Sequence, residues 1–166
     1  MKFVDIIIDK LTNSICNKIT GDTFDTNVLR IYNGNELKKL HDWNFNWEYE
    51  YRYGEVFKLT ITGNEKIIQG LISIEDKGNS IFINLIENAP FNIGKNKTYD
   101  GVAGNLFAFA CMLSSDKEYS GFVSFVAKTN LIAHYKEFLG ARQIGSSGLM
   151  IINEKEAKIL INKYFK

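Results

Sequence analysis

Six residues, Gly101-Val102-Ala103-Gly104-Asn105-Leu106, open a long helical pattern soon after the strand-like run Ile81-Phe82-Ile83-Asn84-Leu85-Ile86-Glu87. A glycine-rich turn at a helix N-terminus suits phosphate. The first-turn N–H groups have no helical partner, the peptide dipoles add partial positive charge, and glycine lets a bulky anion approach the backbone. Small residues at a helix start also serve plain packing, so context has to decide. Glu87 ends an otherwise apolar strand, where a partly desolvated carboxyl acquires the raised pKa of a general base. The plainer readings are a solvated strand-end carboxylate or an N-capping acid. Tyr135 lies on the apolar face of a helical pattern over 129–139. A phenol donates a proton at neutral pH, and its plainer reading is a core tyrosine. Asn130, at the start of the same pattern, either caps the helix or hydrogen-bonds a ligand, with Thr129 as the alternative cap.

The sequence around these residues carries two motifs. Thr98-Tyr99-Asp100-Gly101-Val102-Ala103 fills the six positions of R/Q-x-x-G-x-G/A, with Leu106 as the first buried leucine of the helix that follows. Downstream, Asn130-Leu131-Ile132-Ala133-His134-Tyr135-Lys136-Glu137-Phe138-Leu139-Gly140-Ala141 looks like N-x-x-A-x-x-x-Y-x-x-x-G-F with slightly altered spacing. On these motifs, in this order and over roughly residues 55–152, the chain resembles the GNAT N-acetyltransferase superfamily.

The resemblance implies an α/β (α+β) fold. Its mixed, mostly antiparallel sheet is splayed between two parallel strands, with helices on both faces. It implies acetyl-CoA as acetyl-donor cosubstrate, no metal, and direct transfer to a primary amine in a ternary complex. The pyrophosphate would lie on Thr98, Gly101, Val102, Ala103, Gly104, Asn105 and Leu106. Leu85, Ile86 and Glu87 would run beside the thioester, and Asn130 would face the cofactor. Tyr135 would protonate the leaving thiolate and Glu87 would take the amine's proton. Thr98 stands where the family has Arg or Gln, and the loop from Pro90 to Gly101 is longer than usual; Lys95 and Lys97 could supply phosphate charge instead. Thr98 also favours the alternative, a non-catalytic coenzyme A-binding or protein-interaction module with the same fold.

The surrounding elements follow from periodicity. Val4, Ile7, Ile8 and Leu11 form one stripe at helical spacing, which predicts an N-terminal helix over 3–11. A strand is expected over 28–32 and a short helix over 36–41. From Trp43 to Tyr53, six aromatic residues alternate with polar ones, the signature of a strand. That ladder suits an acceptor wall, one buried sheet face or a dimer surface, and Glu48 and Glu50 opposite it suit an amine or plain solvent. Strands over 55–62, 67–76 and 80–88 precede a helix over 102–115, a strand over 121–127 and the helix over 129–139. Two short strands over 141–152 and a C-terminal helix with Asn153 as cap complete the chain.

Composition narrows the classes. A length of 166 residues reads as one domain, and 45% apolar with 23% charged residues is ordinary for a globular chain. A net charge of +1 with scattered signs argues against nucleic-acid binding, including stacking on the aromatic ladder. Cys16, Cys111, His41 and His134 lack metal-site spacing, and the two thiols read as reduced. With no secretory leader and no membrane-length apolar run, the expectation is a cytoplasmic protein without membrane contact, and a homodimer is a possibility.

Overall fold

The computed structural model describes residues 2–11 and 14–165. Its centre is a mixed sheet of nine strands in the order β6-β1-β2-β3-β4-β5-β7-β9-β8. In the chain these are β1 (Ser14–Asn17), β2 (Thr23–Arg30), β3 (Glu55–Ile61), β4 (Gly70–Asp76), β5 (Ile81–Asn88), β6 (Tyr99–Asp100), β7 (Val123–Val126), β8 (Arg142–Gln143) and β9 (Leu149–Ile152). The helices are α1 (Asn35–Lys38), α2 (Trp47–Tyr53), α3 (Val102–Asp116), α4 (Ile132–Leu139) and α5 (Glu154–Tyr164). Each named strand pair is antiparallel except β5 with β7. Among the described residues no helix is long and apolar enough to cross a membrane.

The central strands are buried on both faces, so they read as runs of Ile, Leu and Val rather than as clean alternation. One face carries Phe57, Leu59, Ile72, Ile74, Ile83 and Ile86 against α3, α4 and α5. The other carries Val56, Leu71 and Leu85 against Leu37 of α1 and Trp47 of α2. A splayed mixed sheet with helices on both faces is the architecture that the two motifs imply. The C-terminal helix is also present, and the Asn153 side chain accepts the Glu156 N–H at 3.0 Å as its cap.

Two expectations fail. Residues 3–11 form no helix; they run extended, with Val4, Ile6 and Ile8 buried and Phe3, Asp5, Ile7 and Asp9 exposed. The run of β-branched residues satisfies both periods, and tertiary contacts choose the period of two. The ladder from Trp43 to Tyr53 is likewise not a strand but a loop leading into α2. Asn46 caps that helix by accepting the Tyr49 N–H at 3.0 Å. At 100° per residue the aromatics split into Trp47 and Tyr51 facing the sheet and Tyr49 stacked on Tyr53 outside, with centroids 4.7 Å apart.

Candidate active site

The site starts as a gap in the sheet. Strands β5 and β7 pair in parallel only at Ile81↔Val123, Phe82↔Ser124 and Ile83↔Phe125. β5 then continues to Asn88 without β7 beside it. The β4–β5 register shifts from Ser73↔Leu85 to Ile74↔Ile83, so Asn84 is an extra residue, a bulge that bends the strand where the gap opens. Leu85 and Ile86, beyond it, point to opposite faces of the sheet.

The chain's own N-terminal arm lies in this gap. The Val4 N–H donates to Val126 O at 2.7 Å, and the Lys128 N–H to Val4 O at 2.9 Å, extending β7 by one parallel bridge. Farther along, the Tyr135 hydroxyl on α4 donates to Ile6 O at 2.6 Å, and the Ile8 N–H donates to His134 Nε2 at 2.9 Å. Tyr135 is fully buried between Phe125 and Phe107, with centroids at 5.3 and 5.8 Å. Burial first, and the Asp5 carboxylate second, push its phenol well above the ordinary value, so it stays a proton donor. His134 is half-buried. Desolvation holds its pKa below the usual histidine value against the pull of Glu137, consistent with a neutral ring that accepts from Ile8.

The arm ends on the glycine loop. Asp9 Oδ1 accepts the Gly101 N–H at 3.0 Å, where α3 begins, and Asp9 Oδ2 holds Lys97 Nζ at 2.5 Å. Lys97 also reaches Asp100 at 3.1 Å. Burial draws its ammonium down, but the bonds to Asp9 and Asp100 outweigh that and hold it above the ordinary lysine value. A side-chain carboxylate thus sits on the element suited to an anion. Gly101 is left-handed, with φ 97°, and Ser14 O lies 3.0 Å from where a Cβ would stand. A Cβ on Gly104 would strike the Tyr164 hydroxyl and lie 2.6 Å from Lys10 O. The Tyr164 hydroxyl itself donates to Lys10 O at 3.0 Å. Both glycines therefore serve close packing against other parts of the chain.

The rest of the loop is similarly engaged. Val102, Ala103 and Leu106 are core residues. Asn105 Nδ2 donates to Gly101 O at 2.6 Å, and Asn105 Oδ1 accepts from Thr26 at 3.1 Å. Thr98 shares backbone bonds with Phe91 and Lys18.

On the β5 side, the buried Glu87 carboxylate accepts three donors: Asn44 N–H at 2.7 Å, Phe45 N–H at 3.3 Å and Trp47 Nε1–H at 2.8 Å. It fastens the loop that leads into α2. Two openings remain beside the arm. One, of about 430 Å3, separates the arm from Ile86, Glu87 and Asn88. The other, of about 740 Å3, lies between the arm, α2, Leu85 and the 3-10 turn Thr129–Leu131, and exposed Asn130 lines it. The structure therefore places Leu85 and Asn130 on one opening and Ile86 and Glu87 on the other, with Tyr135 buried behind the arm that divides them, while Asp9 of the arm bonds the glycine loop at Gly101.

Sequence reasoning passes over Lys2 and Asp9, and it names Glu50 only as a strand-face acid suited to an amine or to solvent, whereas the structure buries it on α2. Lys2 Nζ reaches the buried Glu50 carboxylate at 2.6 Å. The available signal is the alternation Val4-Asp5-Ile6-Ile7-Ile8-Asp9, with acids on the exposed positions, which fits a strand as well as a helix. Cys111 is no nucleophile in waiting, since burial pushes its thiol up to about 12.

No protein-family model and no curated protein matches the sequence. Solved structures do match. A Tyr-to-Phe mutant of the AtaT toxin, bound to the C-terminus of the antitoxin AtaR and to acetyl-CoA, superposes with a TM-score of 0.57. The match covers 83% of this chain and 99% of that one, at 12% identity. The sheet order, the parallel β5–β7 pair with its gap, and this likeness together give the chain a GNAT acyltransferase fold.

Proposed function

We propose that this chain is an acetyl-CoA-dependent N-acetyltransferase acting on a primary amine in a ternary complex, and that the donor enters the β5–β7 gap by displacing residues 4–10. One observation carries the reading: the arm occupies groups that suit a thioester donor. The Tyr135 hydroxyl, the backbone edge at Val126 and Lys128, and the N-terminus of α3 with Lys97 all bond to it. The acetyl-CoA held by the AtaT structure, which has this fold, supports the choice of donor.

In this reading the amine nitrogen bonds to the acetyl carbon, the C–S bond breaks, the thiolate takes the Tyr135 proton, and the proton that the new amide nitrogen sheds returns through water to the Tyr135 phenolate. The ammonium first loses its own proton to water in the open cavity. Glu87, whose two oxygens are already engaged by three donors from Asn44, Phe45 and Trp47, positions the loop before α2. Expelling the arm exposes Val4, Ile6 and Ile8, at about 1.5–3 kcal/mol each, unless the donor covers the same surface. A donor of micromolar intrinsic affinity has about 8 kcal/mol to spend. Closed and donor-bound states are therefore close in energy, and binding to the wild type is weak.

The same arm favours a second reading, a non-catalytic module in which the fold is kept and the groove permanently filled. Acetyl-CoA binding and amine acetylation, measured in the wild type, in Asp9→Ala and in Asp9→Ala/Tyr135→Phe, separate the two. Binding and turnover that rise in Asp9→Ala, with turnover lost on removing the hydroxyl, establish the enzyme. No binding by any of these folded proteins at millimolar acetyl-CoA establishes the module.

A further inference from the structure

The other end of the arm points to a second ligand. Glu50, on α2, is 3% exposed, and a buried carboxylate is stable there only with a counter-charge. That charge is Lys2, whose Nζ lies 2.6 Å from Glu50 Oε2 and 4.9 Å from the Tyr49 ring centroid. The ammonium is thus held by an ion pair and by the face of an aromatic ring, two interactions that any primary alkylammonium can make. The partners differ in burial: the Lys2 side chain is 42% exposed, so its replacement disturbs no core. Beside it opens the cavity of about 740 Å3, whose apolar walls include Phe3, Phe45 and Leu85. Those walls offer an alkyl stem an apolar path to the carboxylate. The other charged groups facing the cavity are Asp5 and Lys128. Leu85 belongs to β5, so the cavity opens onto the gap that holds the arm.

We infer that Glu50 and Tyr49 form a binding site for a primary alkylammonium, and that Lys2 is its resident occupant. As a binding site the pocket stands by itself; as the acceptor subsite it rests on the transferase reading above. The arm then spans both halves of the groove, an ammonium at one end and an anion, Asp9, on α3 at the other. An incoming amine competes with a tethered Lys2, whose effective concentration is of millimolar order.

The test is chemical rescue without any acetyl donor. Lys2→Met keeps an apolar stem and strips Glu50 of its partner, and Lys2→Gln, which keeps a hydrogen-bond donor, serves if the first fails to fold. Thermal unfolding is followed with n-butylamine at pH 7 and with n-butanol as the neutral control. The expected result is that n-butylamine restores the melting temperature at a half-effective concentration at least tenfold below that for any effect on the wild type, while n-butanol does nothing. Adding Glu50→Gln to the Lys2 variant should abolish the rescue. A folded Lys2 variant that n-butylamine does not stabilise overturns the proposal, as does equal rescue by n-butanol or rescue that survives Glu50→Gln. Cadaverine and the N-methylamide of Nα-acetyl-lysine then compare the two sources of the same chemistry, a free diamine and a lysyl side chain. Failure of this rescue leaves the donor reading intact, and absence of acetyl-CoA binding leaves the rescue readable.

Discussion

Replacing Asp9 by alanine is the most direct probe of the filled groove. It removes the carboxylate that accepts the Gly101 N–H at 3.0 Å and binds Lys97 at 2.5 Å. A hydrogen bond to a charged group contributes about 1.5–3 kcal/mol, and a partly exposed ion pair up to about 1 kcal/mol. The Asp9 and Lys97 side chains are 19% and 17% exposed, and Lys97 keeps Asp100, so a net loss of about 2 kcal/mol is a fair working value. If that loss falls on the closed arm alone, opening becomes about 30-fold easier. Where the competent state is rare, apparent affinity follows its population, so the dissociation constant for acetyl-CoA should fall by the same factor. Calorimetric titration measures it, and amide exchange at Ile6 and Ile8 reports the opening independently. Asp116→Asn, at the opposite end of α3 and about 22 Å along its axis, controls for the change in net charge. A dissociation constant within twofold of the wild type, in a folded protein whose Ile8 amide exchanges faster, would refute the idea that arm and donor share one site.

Three further outcomes follow from the same geometry. Gly104→Ala should lower the melting temperature by several degrees, through about 1–3 kcal/mol of overpacking against Tyr164 and Lys10 O, with partial recovery in Gly104→Ala/Tyr164→Ala; an open phosphate cradle would leave stability untouched. Glu87→Gln should cost about 1–3 kcal/mol of stability in urea unfolding while leaving the shape of the pH–rate profile unchanged; loss of the acid limb would return Glu87 to the role of base. For His134, burial lowers the folded pKa below the unfolded value of about 6.5, so the Ile8 bond is at full strength above about 6.5 and is lost as pH falls through the folded value. Acetyl-CoA affinity should therefore rise as pH drops from about 7 to 5, and His134→Phe should flatten that dependence; an unchanged slope would show that His134 does not hold the arm.

The central strands from β3 to β5 and the helix α3 were legible because their apolar runs are long and bounded by clear turn residues, whereas the short strands β1 and β6 left no signal. From Glu55 to Asn88 the chain alternates strand runs with turns at Gly63 and Gly78, and α3 continues for four turns. Periodicity fails where two periods fit equally. Val4-Asp5-Ile6-Ile7-Ile8 puts apolar residues at i, i+2, i+3 and i+4, which suits a helical stripe and an extended strand alike. What selects the strand is the unpaired edge of β7 beyond Phe125, a long-range fact with no local trace. The aromatic ladder misleads for the same reason: even spacing alternates faces in a strand and also halves a short helix. Only the Asn46 cap and the Trp47–Glu87 bond decide between them.

The site shows a different limit. Its candidate residues can be named from the resemblance of two motifs, because Gly101 and Tyr135 sit at positions fixed by their own helices. What they contact cannot be named, because Asp9 reaches Gly101 across 92 residues and Tyr135 reaches Ile6 across 129. A motif specifies an unsatisfied group: helix N–H donors, a phenol, a strand edge. It does not specify what satisfies them. In this chain an aspartate answers the helix terminus, a backbone carbonyl answers the phenol, and a lysine answers the carboxylate on α2. The same motif residues can thus belong to an open enzyme, a closed one or an inert relative. The difference between them lies in the free energy of nine residues that the motif does not contain, Lys2 through Lys10, and that quantity is open to measurement by the variants above.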